Sequence, residues 1–457
     1  MFKRYRHIHF VGIGGAGMSG IAEVLLTLGT TVSGSDLKAS ETTKRLETLG
    51  AAVRIGHRPE NTAGADVVVV STAAGPDNPE VLEARRLRIP VIPRIEMLAE
   101  LARLKYTVAV AGTHGKTTTT SLCSLVLTAG GLDPTVVVGG RMRNLGTGAR
   151  VGKGEYLVAE ADESDGSFLK LSPTLAVVTN IDDDHLDYWK TMDALDAGFV
   201  EFGNKIPFYG TLFLGLDDAG SRRIRERLRR RVVTYGLSPE ADLRAANLRP
   251  SSSEVRYDVL RGGEKLGSVC WAVPGRHNVV NSLAAVGVGL ELDIPFRAIA
   301  EALASFKGVG RRMELKGEAG GVTVLDDYGH HPTEIKATLQ ALKERFPDRR
   351  KVVLFQPHRY TRTRLLAEEF ADSFSDADEV FLLDIYAASE PPIPGVTADA
   401  LAEKIRSRRP VTRLAPDEQD ALRERLRPGD VLLTLGAGDV WKWGEALLAA
   451  PAAARSA

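Results

Sequence analysis

Two glycine-rich turns, each set between a short apolar run and a helix-forming stretch, constrain this chain most. The first, Gly12-Ile13-Gly14-Gly15-Ala16-Gly17, follows His7 to Val11, and the second, Gly112-Thr113-His114-Gly115-Lys116-Thr117, follows Thr107 to Ala111. A strand that turns through glycines straight into a helix opens a parallel βαβ unit, because glycine tolerates so tight a turn. Two such units, one beginning near residue 7 and one near residue 107, imply at least two α/β domains.

The rest of the chain keeps the same alternation of β-rich runs and helical periodicity. In the first unit the pattern predicts a helix over Met18 to Leu28, strands over Thr31 to Gly34 and Val67 to Val70, and a helix over Leu98 to Leu104. In the second it predicts a helix over Lys116 to Ala129, then strands near Val136, over Tyr156 to Ala159 and over Leu175 to Thr179. An Arg-rich helix around Arg222 to Arg231 and a β-meander over Asn247 to Val273 follow. After Lys307-Gly308-Val309-Gly310, strands near Val322–Leu325, Val352–Phe355, Val380–Leu383 and Val431–Thr434 alternate with helices, which predicts another parallel sheet. The tail from Ala449 to Ala457 has too little apolar bulk to order itself. The reading is an α/β protein of three domains, 1–103, 104–309 and 310–457.

At 457 residues the chain exceeds one ordinary core. Its 59 basic and 59 acidic residues cancel, so no global field draws nucleic acid or an anionic membrane, and neither is expected as a partner. Lys3, Arg4 and Arg6 precede an apolar run, but glycines up to Gly20 and then Glu23 interrupt it, unlike a signal peptide. No stretch reaches the roughly 18 apolar residues a membrane span needs, and a cytoplasmic location is expected. Cys123 and Cys270 suit core packing, being too few for a disulfide framework.

The second turn carries the sharper chemistry. Its backbone N–H groups would face phosphate oxygens at a helix N-terminus, with Lys116 on the β- and γ-phosphates and the Thr117 hydroxyl on Mg²⁺. The match to the usual phosphate loop is imperfect, since Val110 stands where its first glycine would be. Downstream, two apolar strands run into acidic groups: Glu160, Asp162, Glu163 and Asp165 after the first, Asp182, Asp183, Asp184, His185 and Asp187 after the second. In an open parallel sheet both clusters lie at the carboxyl edge, beside the phosphate loop, where they suit a metal–nucleotide site.

The first turn fits G-x-G-x-x-G, with Asp36 nineteen residues after Gly17 and placed for a ribose hydroxyl. That pattern alone fits an NAD-dependent oxidoreductase, but any diphosphate suits such a turn, a UDP-sugar included. A separate triphosphate site makes an ATP enzyme with a nucleotide-linked substrate more economical. A non-catalytic nucleotide-binding regulator would have no need of Lys116, Glu160 and His185.

Taken together, these residues resemble the Mur ligases, ATP-dependent enzymes that form amide bonds in bacterial cell-wall precursor synthesis. The resemblance runs almost end to end. It includes His9 through Ala22, the loop at Lys116, Glu160 through Asp165, and Thr179-Asn180-Ile181 with His185-Leu186-Asp187. It continues in Pro274-Gly275-Arg276-His277-Asn278 with Asn281, Gly310-Arg311-Arg312, Asp326 through Glu334, and Gln356-Pro357-His358-Arg359-Tyr360. The Gly-Ile-Gly-Gly opening and the Asp-Asp-Tyr-Gly-His-His and Gln-Pro-His-Arg-Tyr segments point to the L-alanine-adding branch; a branch that attaches a whole murein peptide shares most motifs.

The resemblance implies a Rossmann-like domain for UDP-N-acetylmuramate, a central P-loop ATPase-type domain, and a C-terminal Rossmann-like domain for the amino acid. For the UDP-sugar it implies Gly14, Gly15, Ala16, Gly17, Met18, Ser35 and Asp36. For ATP it implies Gly112, Thr113, His114, Gly115, Lys116, Thr117 and Thr118, with Asn281 at the adenine and Arg312 near the phosphates. Thr117, Glu160 and His185 would hold Mg²⁺, with Lys116, His185 and Arg312 taking part in catalysis. Asp327, His330, His358, Arg359 and Arg362 would receive L-alanine. Several relatives carry a carbamylated lysine after the His-Leu-Asp element. Here 191–203 has no lysine, only Lys190 and Lys205 flanking it, and none is expected. The implied reaction joins L-alanine to UDP-N-acetylmuramate through an acyl phosphate, by a monomer or weak dimer.

Overall fold

The structure, a computed structural model, describes residues 5–71, 74–142, 147–251, 254–388 and 390–449. The tail beyond Ala449 that was expected to fray lies outside them. The chain forms two compact units: residues 1–246 with 258–269 and 280–307, and residues 247–257 with 270–279 and 308–457.

The first unit opens with a five-stranded parallel sheet of β1 (His7–Val11), β2 (Thr31–Asp36), β3 (Ala52–Ile55), β4 (Val67–Val70) and β5 (Val91–Pro93), in the order 3-2-1-4-5. The strand order reverses at β1, so the crevice at its carboxyl end, beside the first glycine turn, is where a ligand of this fold binds. The helix Ala16–Thr27 follows that turn. The last helix of this domain spans Arg94–Ala102, earlier than the predicted Leu98–Leu104, because Pro93 ends β5 and caps the helix start.

The central sheet comprises β6 (Tyr106–Ala111), β7 (Thr135–Met142), β8 (Thr147–Arg150), β9 (Tyr156–Glu160), β10 (Leu175–Val178), β11 (Thr211–Gly215), β12 (Val232–Gly236), β13 (Leu243–Pro250), β14 (Val255–Arg261) and β15 (Glu264–Trp271). Its order is 15-14-13-12-11-10-6-9-7-8. β10, β6 and β9 are parallel neighbours, so the loops after all three meet at one edge. The helix Lys116–Ala129 forms as predicted. The Arg-rich helix does not: Asp218 caps Ser221 N at 2.8 Å and starts the helix at Ala219, which ends at Ile224 before a 3₁₀ turn over Arg225–Arg227. Like charges three and four residues apart disfavour a longer helix there.

The second unit holds β16 (Glu314–Ala319), β17 (Val322–Asp327), β18 (Lys351–Phe355), β19 (Glu379–Leu382), β20 (Val411–Arg413) and β21 (Val431–Leu435), ordered 16-17-21-18-19-20. All neighbours are parallel except β16, an antiparallel edge strand that the sequence pattern missed. Cys123 is core, its thiol pushed up to about 12 by burial, whereas Cys270 is half-exposed with Sγ 3.9 Å from Arg256.

Candidate active site

β6 ends in the loop 112–115, and its glycines are there for space. Gly112 has φ +124°, and a Cβ on it would lie 2.0 Å from Thr179 Oγ1; one on Gly115, at φ +80°, would lie 2.6 Å from Asn281 Oδ1. Asn281, on the helix Arg276–Glu291, thus closes against the turn that starts the next helix. The chain after β10 braces the loop from its other side. His114 N donates to Asn180 Oδ1 at 2.9 Å, while Thr179 Oγ1 and Asn180 Nδ2 donate to His114 O at 2.6 and 3.0 Å. Asp182 N donates to Thr113 Oγ1 at 2.9 Å, and His114 Nε2 lies 2.8 Å from Asp182 Oδ2.

Lys116 is the charged centre of this arrangement. Its ammonium donates to Gly112 O at 2.8 Å, Thr113 O at 3.1 Å and both oxygens of Glu163 at 3.0 and 2.8 Å. Burial works against its charge, yet Glu163, with Asp162 and Glu160, more than offsets it and raises the ammonium above the usual lysine range. Burial likewise pushes the Glu163 carboxyl up to about 7, against the pull of Lys116. Thr117 Oγ1 donates to Glu160 Oε1 at 3.0 Å. His185, in a left-handed conformation at φ +60°, places Nε2 3.8 Å from Glu163 Oε1 and 3.5 Å from Asp184 Oδ2. The structure therefore sets Lys116 and His185 against Glu163 and Thr117 against Glu160, and the part of Glu163 is one the sequence could not single out among four nearby carboxylates.

At the first turn, Gly12 N and Ile13 N donate to Ser35 O at 2.8 and 2.9 Å, and Gly14 N donates to Asp36 Oδ2 at 2.9 Å. Asp36 thus braces the glycine turn itself. Ser35 is buried, and its hydroxyl donates to Glu80 at 2.5 Å instead of facing the crevice. Met18 is core, and Gly15, Ala16 and Gly17 lead into the helix. Arg94, which sequence reasoning missed, lies against Gly17: a Cβ there would be 2.6 Å from its Nη1. No motif flags Arg94, because only folding brings the start of its helix to the glycine turn.

In the second unit, the carboxyl edge joins several residues that the resemblance named. The rings of His330 and His358 stand 5.6 Å apart, Arg362 Nη1 lies 3.3 Å from His358 Nδ1, and His358 stacks on Tyr386 at 5.6 Å and 10°. Arg362 is buried, and Arg359, at φ +70°, donates its N–H to Tyr386 O at 2.8 Å. Asp327 accepts from Met313 N and Gly329 N, both at 2.7 Å, and burial pushes it up to about 6. Arg312 lies over the Tyr328 ring at 5.3 Å and reaches Glu334 at 3.4 Å. Burial and the Arg312 charge hold His277 down to about 4, so it is neutral at pH 7.

A glycine turn at the head of one parallel sheet and a lysine-bearing phosphate loop at the head of the next define an ATP-binding α/β enzyme. The chain belongs to the Mur ligase family. Models of the Mur ligase family catalytic domain, the Mur ligase middle domain and the Mur ligase glutamate ligase domain match residues 7–106, 110–289 and 311–438. Relatives named UDP-N-acetylmuramate–L-alanine ligase include one from Geobacter sp. (strain M21), 57 % identical over 98 % of both chains. Another, from Anaeromyxobacter dehalogenans (strain 2CP-C), is 59 % identical, again over 98 % of both. The crystal structure of the UDP-N-acetylmuramate–alanine ligase of Thermotoga maritima superposes with a TM-score of 0.82 at 29 % identity, covering 97 % of this chain and 98 % of that one. A murein peptide ligase from Psychrobacter arcticus superposes with a TM-score of 0.72 at 25 % identity, with the same coverage. Among the described residues, no helix is long and apolar enough to cross a membrane.

Proposed function

We propose that this chain joins L-alanine to UDP-N-acetylmuramate at the expense of ATP, in peptidoglycan precursor synthesis. The observation that carries the reading is end-to-end similarity to ligases of that name, on a chain whose Lys116 loop has the form a phosphoryl-transfer site requires. A carboxylate is a poor acyl donor because its oxygen will not leave; phosphorylation makes it an acyl phosphate, which the amine of alanine attacks with release of phosphate. Lys116 neutralises charge on the transferred group, and the amides where the loop enters its helix, at Gly115 and Lys116, hold the phosphates in line, those of Thr113 and His114 being bonded to Asn180. Thr117 and Glu160 offer adjacent oxygen donors, with His185 beyond Glu163. This set suits Mg²⁺, which takes few protein ligands and completes its shell with water and phosphate oxygens. When bound, the ion would add neutralising charge at the phosphates. Gly14, Gly15 and Gly17, their turn braced by Asp36, form the crevice for the sugar nucleotide, and the edge carrying His330, His358, Arg359 and Arg362 receives the amino acid through its carboxylate.

Phosphate release by the purified chain, with ATP, Mg²⁺, UDP-N-acetylmuramate and a panel of amino acids or murein peptides, tests this reading. L-Alanine should support turnover and Lys116→Ala should lower it by on the order of 10²–10³. Turnover with murein tripeptide but not with alanine would assign the chain to the peptide-adding branch instead.

A further inference from the structure

β6, β10, β11 and β12 run parallel, so the phosphate loop and its acidic partners occupy one edge of the central sheet and the starts of these strands the other. At that second edge the turn before β11 projects two aromatic side chains. Phe208 is 87 % exposed and Tyr209 60 % exposed, with their rings edge to face at 5.2 Å. A bond from Gly210 N to Pro207 O, 3.0 Å, fixes the turn beneath them. Tyr209 also lines a cavity of about 210 Å³ with Tyr106 and Tyr156, and Tyr106 and Leu104 are themselves exposed.

An arginine-rich segment runs into the start of β12 at the same edge. Residues 222–231 contain seven arginines and one acid, Glu226. This segment is fastened to the aromatic turn: Asn204 accepts from Arg229 N at 2.7 Å and from Arg230 Nε at 3.2 Å, and Arg231 donates to Thr211 Oγ1 at 3.1 Å. Arg222, Arg223 and Arg231 are paired with Glu240, Asp196 and Glu291. Arg225 shares Glu240 with Arg222, whereas Arg227, Arg229 and Arg230 are exposed and none has a carboxylate partner among the described residues.

Single exposed apolar residues are ordinary, but an adjacent Phe–Tyr pair at a turn tip, flanked by three arginines that no carboxylate neutralises, is a particular combination. Aromatic rings settle at the headgroup level of a bilayer, and clustered arginines hold to its anionic phosphates within about one Debye length. We propose that this edge of the central domain docks on anionic phospholipid bilayers. Phe208 and Tyr209 enter the headgroup layer, and Arg227, Arg229 and Arg230 face the lipid phosphates. Single-stranded nucleic acid also uses arginine and aromatics, but it needs ring faces laid open for stacking along a charged groove. Here the two rings meet edge to face at a tip, which suits insertion. The neutral net charge is no obstacle, because the attraction is local. Docked this way, the phosphate loop lies on the edge turned away from the lipid and stays open to substrates.

Co-sedimentation of the full chain with phosphatidylcholine vesicles, alone or with about 30 % phosphatidylglycerol, tests the proposal. Binding should appear only with the anionic vesicles and weaken with salt. It should fall on the order of tenfold or more in Phe208→Ser and in the pair Arg227→Glu, Arg229→Glu, while solution turnover of each stays at the wild-type level. Phe208→Trp should bind normally and its fluorescence should shift to the blue on anionic vesicles. No sedimentation with anionic vesicles at low salt, or an unshifted tryptophan, overturns the proposal. Binding unaffected by Phe208→Ser, with single-stranded RNA displacing the vesicles, would give the arginines to nucleic acid and also overturn it.

Discussion

Lys116 Nζ lies 2.8 Å from Glu163 Oε2, and the Glu163 side chain is 1 % exposed. The pair sets the working state of the phosphate loop. Its ammonium is kept charged by the carboxylate and held low against the carbonyls of Gly112 and Thr113, so a triphosphate taken up by this loop would compete with Glu163 for one cation.

Removing one partner of a buried pair strands the other. Glu163→Ala should therefore destabilise the chain by about 3–5 kcal/mol, with Lys116 left bonded to two carbonyl oxygens and offset only by the charges of Asp162 and Glu160. Phosphates would then resupply the missing charge, so ATP with Mg²⁺ should raise the melting temperature of this variant more than that of the wild type. Thermal unfolding with and without nucleotide decides it; equal shifts in the two proteins would show that Lys116 does not reach the phosphates.

The phosphate loop also makes a steric prediction. Gly112→Ala asks an L-residue to hold φ +124° while its Cβ sits 2.0 Å from Thr179 Oγ1, so the loop must shift. The backbone term alone costs about 1–2 kcal/mol. Because Thr179 also anchors His114 O, the shift should spread to the phosphate-facing amides. The expected outcome is a rise in the Michaelis constant for ATP of tenfold or more with that for the sugar nucleotide little changed. Steady-state kinetics with each substrate varied in turn would show it.

How far the site was legible depended on whether its residues are local in sequence. The Lys116 loop, its helix and the apolar strands β1, β6 and β10 all follow from short-range pattern, and they formed where the pattern placed them. What escaped was long-range: Glu163 as the partner of Lys116, Arg94 against Gly17, Asn281 against Gly115, and β16, whose alternation is interrupted by Gly317 at a register shift. The Arg-rich helix failed for a different reason. Its periodicity favoured a helix to Arg231, but charge repulsion and the Asp218 cap moved and shortened it.

Glu80 yields a prediction in pH. It is fully buried, and burial would raise its carboxyl, but hydrogen bonds from His9, Ser35 and Asn61 outweigh that and bring it from 4.5 down to about 2. Above pH 4.5 both folded and unfolded chains carry the charge and the full contribution is present. As pH falls, the unfolded chain takes up the proton first, and the contribution drains away until the folded group titrates near pH 2. The shift corresponds to about 3 kcal/mol. Glu80→Gln should thus be less stable than wild type at pH 7 and show a flatter loss of stability between about pH 4.5 and 2. Urea unfolding followed across that range measures both slopes; parallel curves would show that Glu80 is not what acid attacks in this domain.

The last prediction concerns amino-acid capture. Arg359 and Arg362 are three apart, but the structure gives them different tasks. Arg359 stands ahead of the helix Tyr360–Leu365 at φ +70°, tied through its N–H to Tyr386 O. Arg362 is buried one turn in, with its guanidinium against His358. A buried guanidinium beside a stacked His358–Tyr386 pair is well placed to receive one carboxylate and to turn the amine of alanine outward. Arg362→Ala removes that charge-assisted bond, which is worth about 1.5–3 kcal/mol, or roughly 10- to 150-fold in affinity. The Michaelis constant for L-alanine should rise by that factor while the one for ATP stays within about threefold. Arg362→Lys should recover only part of the loss, because an ammonium cannot present the bidentate fork. If instead the ATP constant rises and the alanine constant holds, Arg362 serves the phosphates and the amino acid binds elsewhere on the third domain.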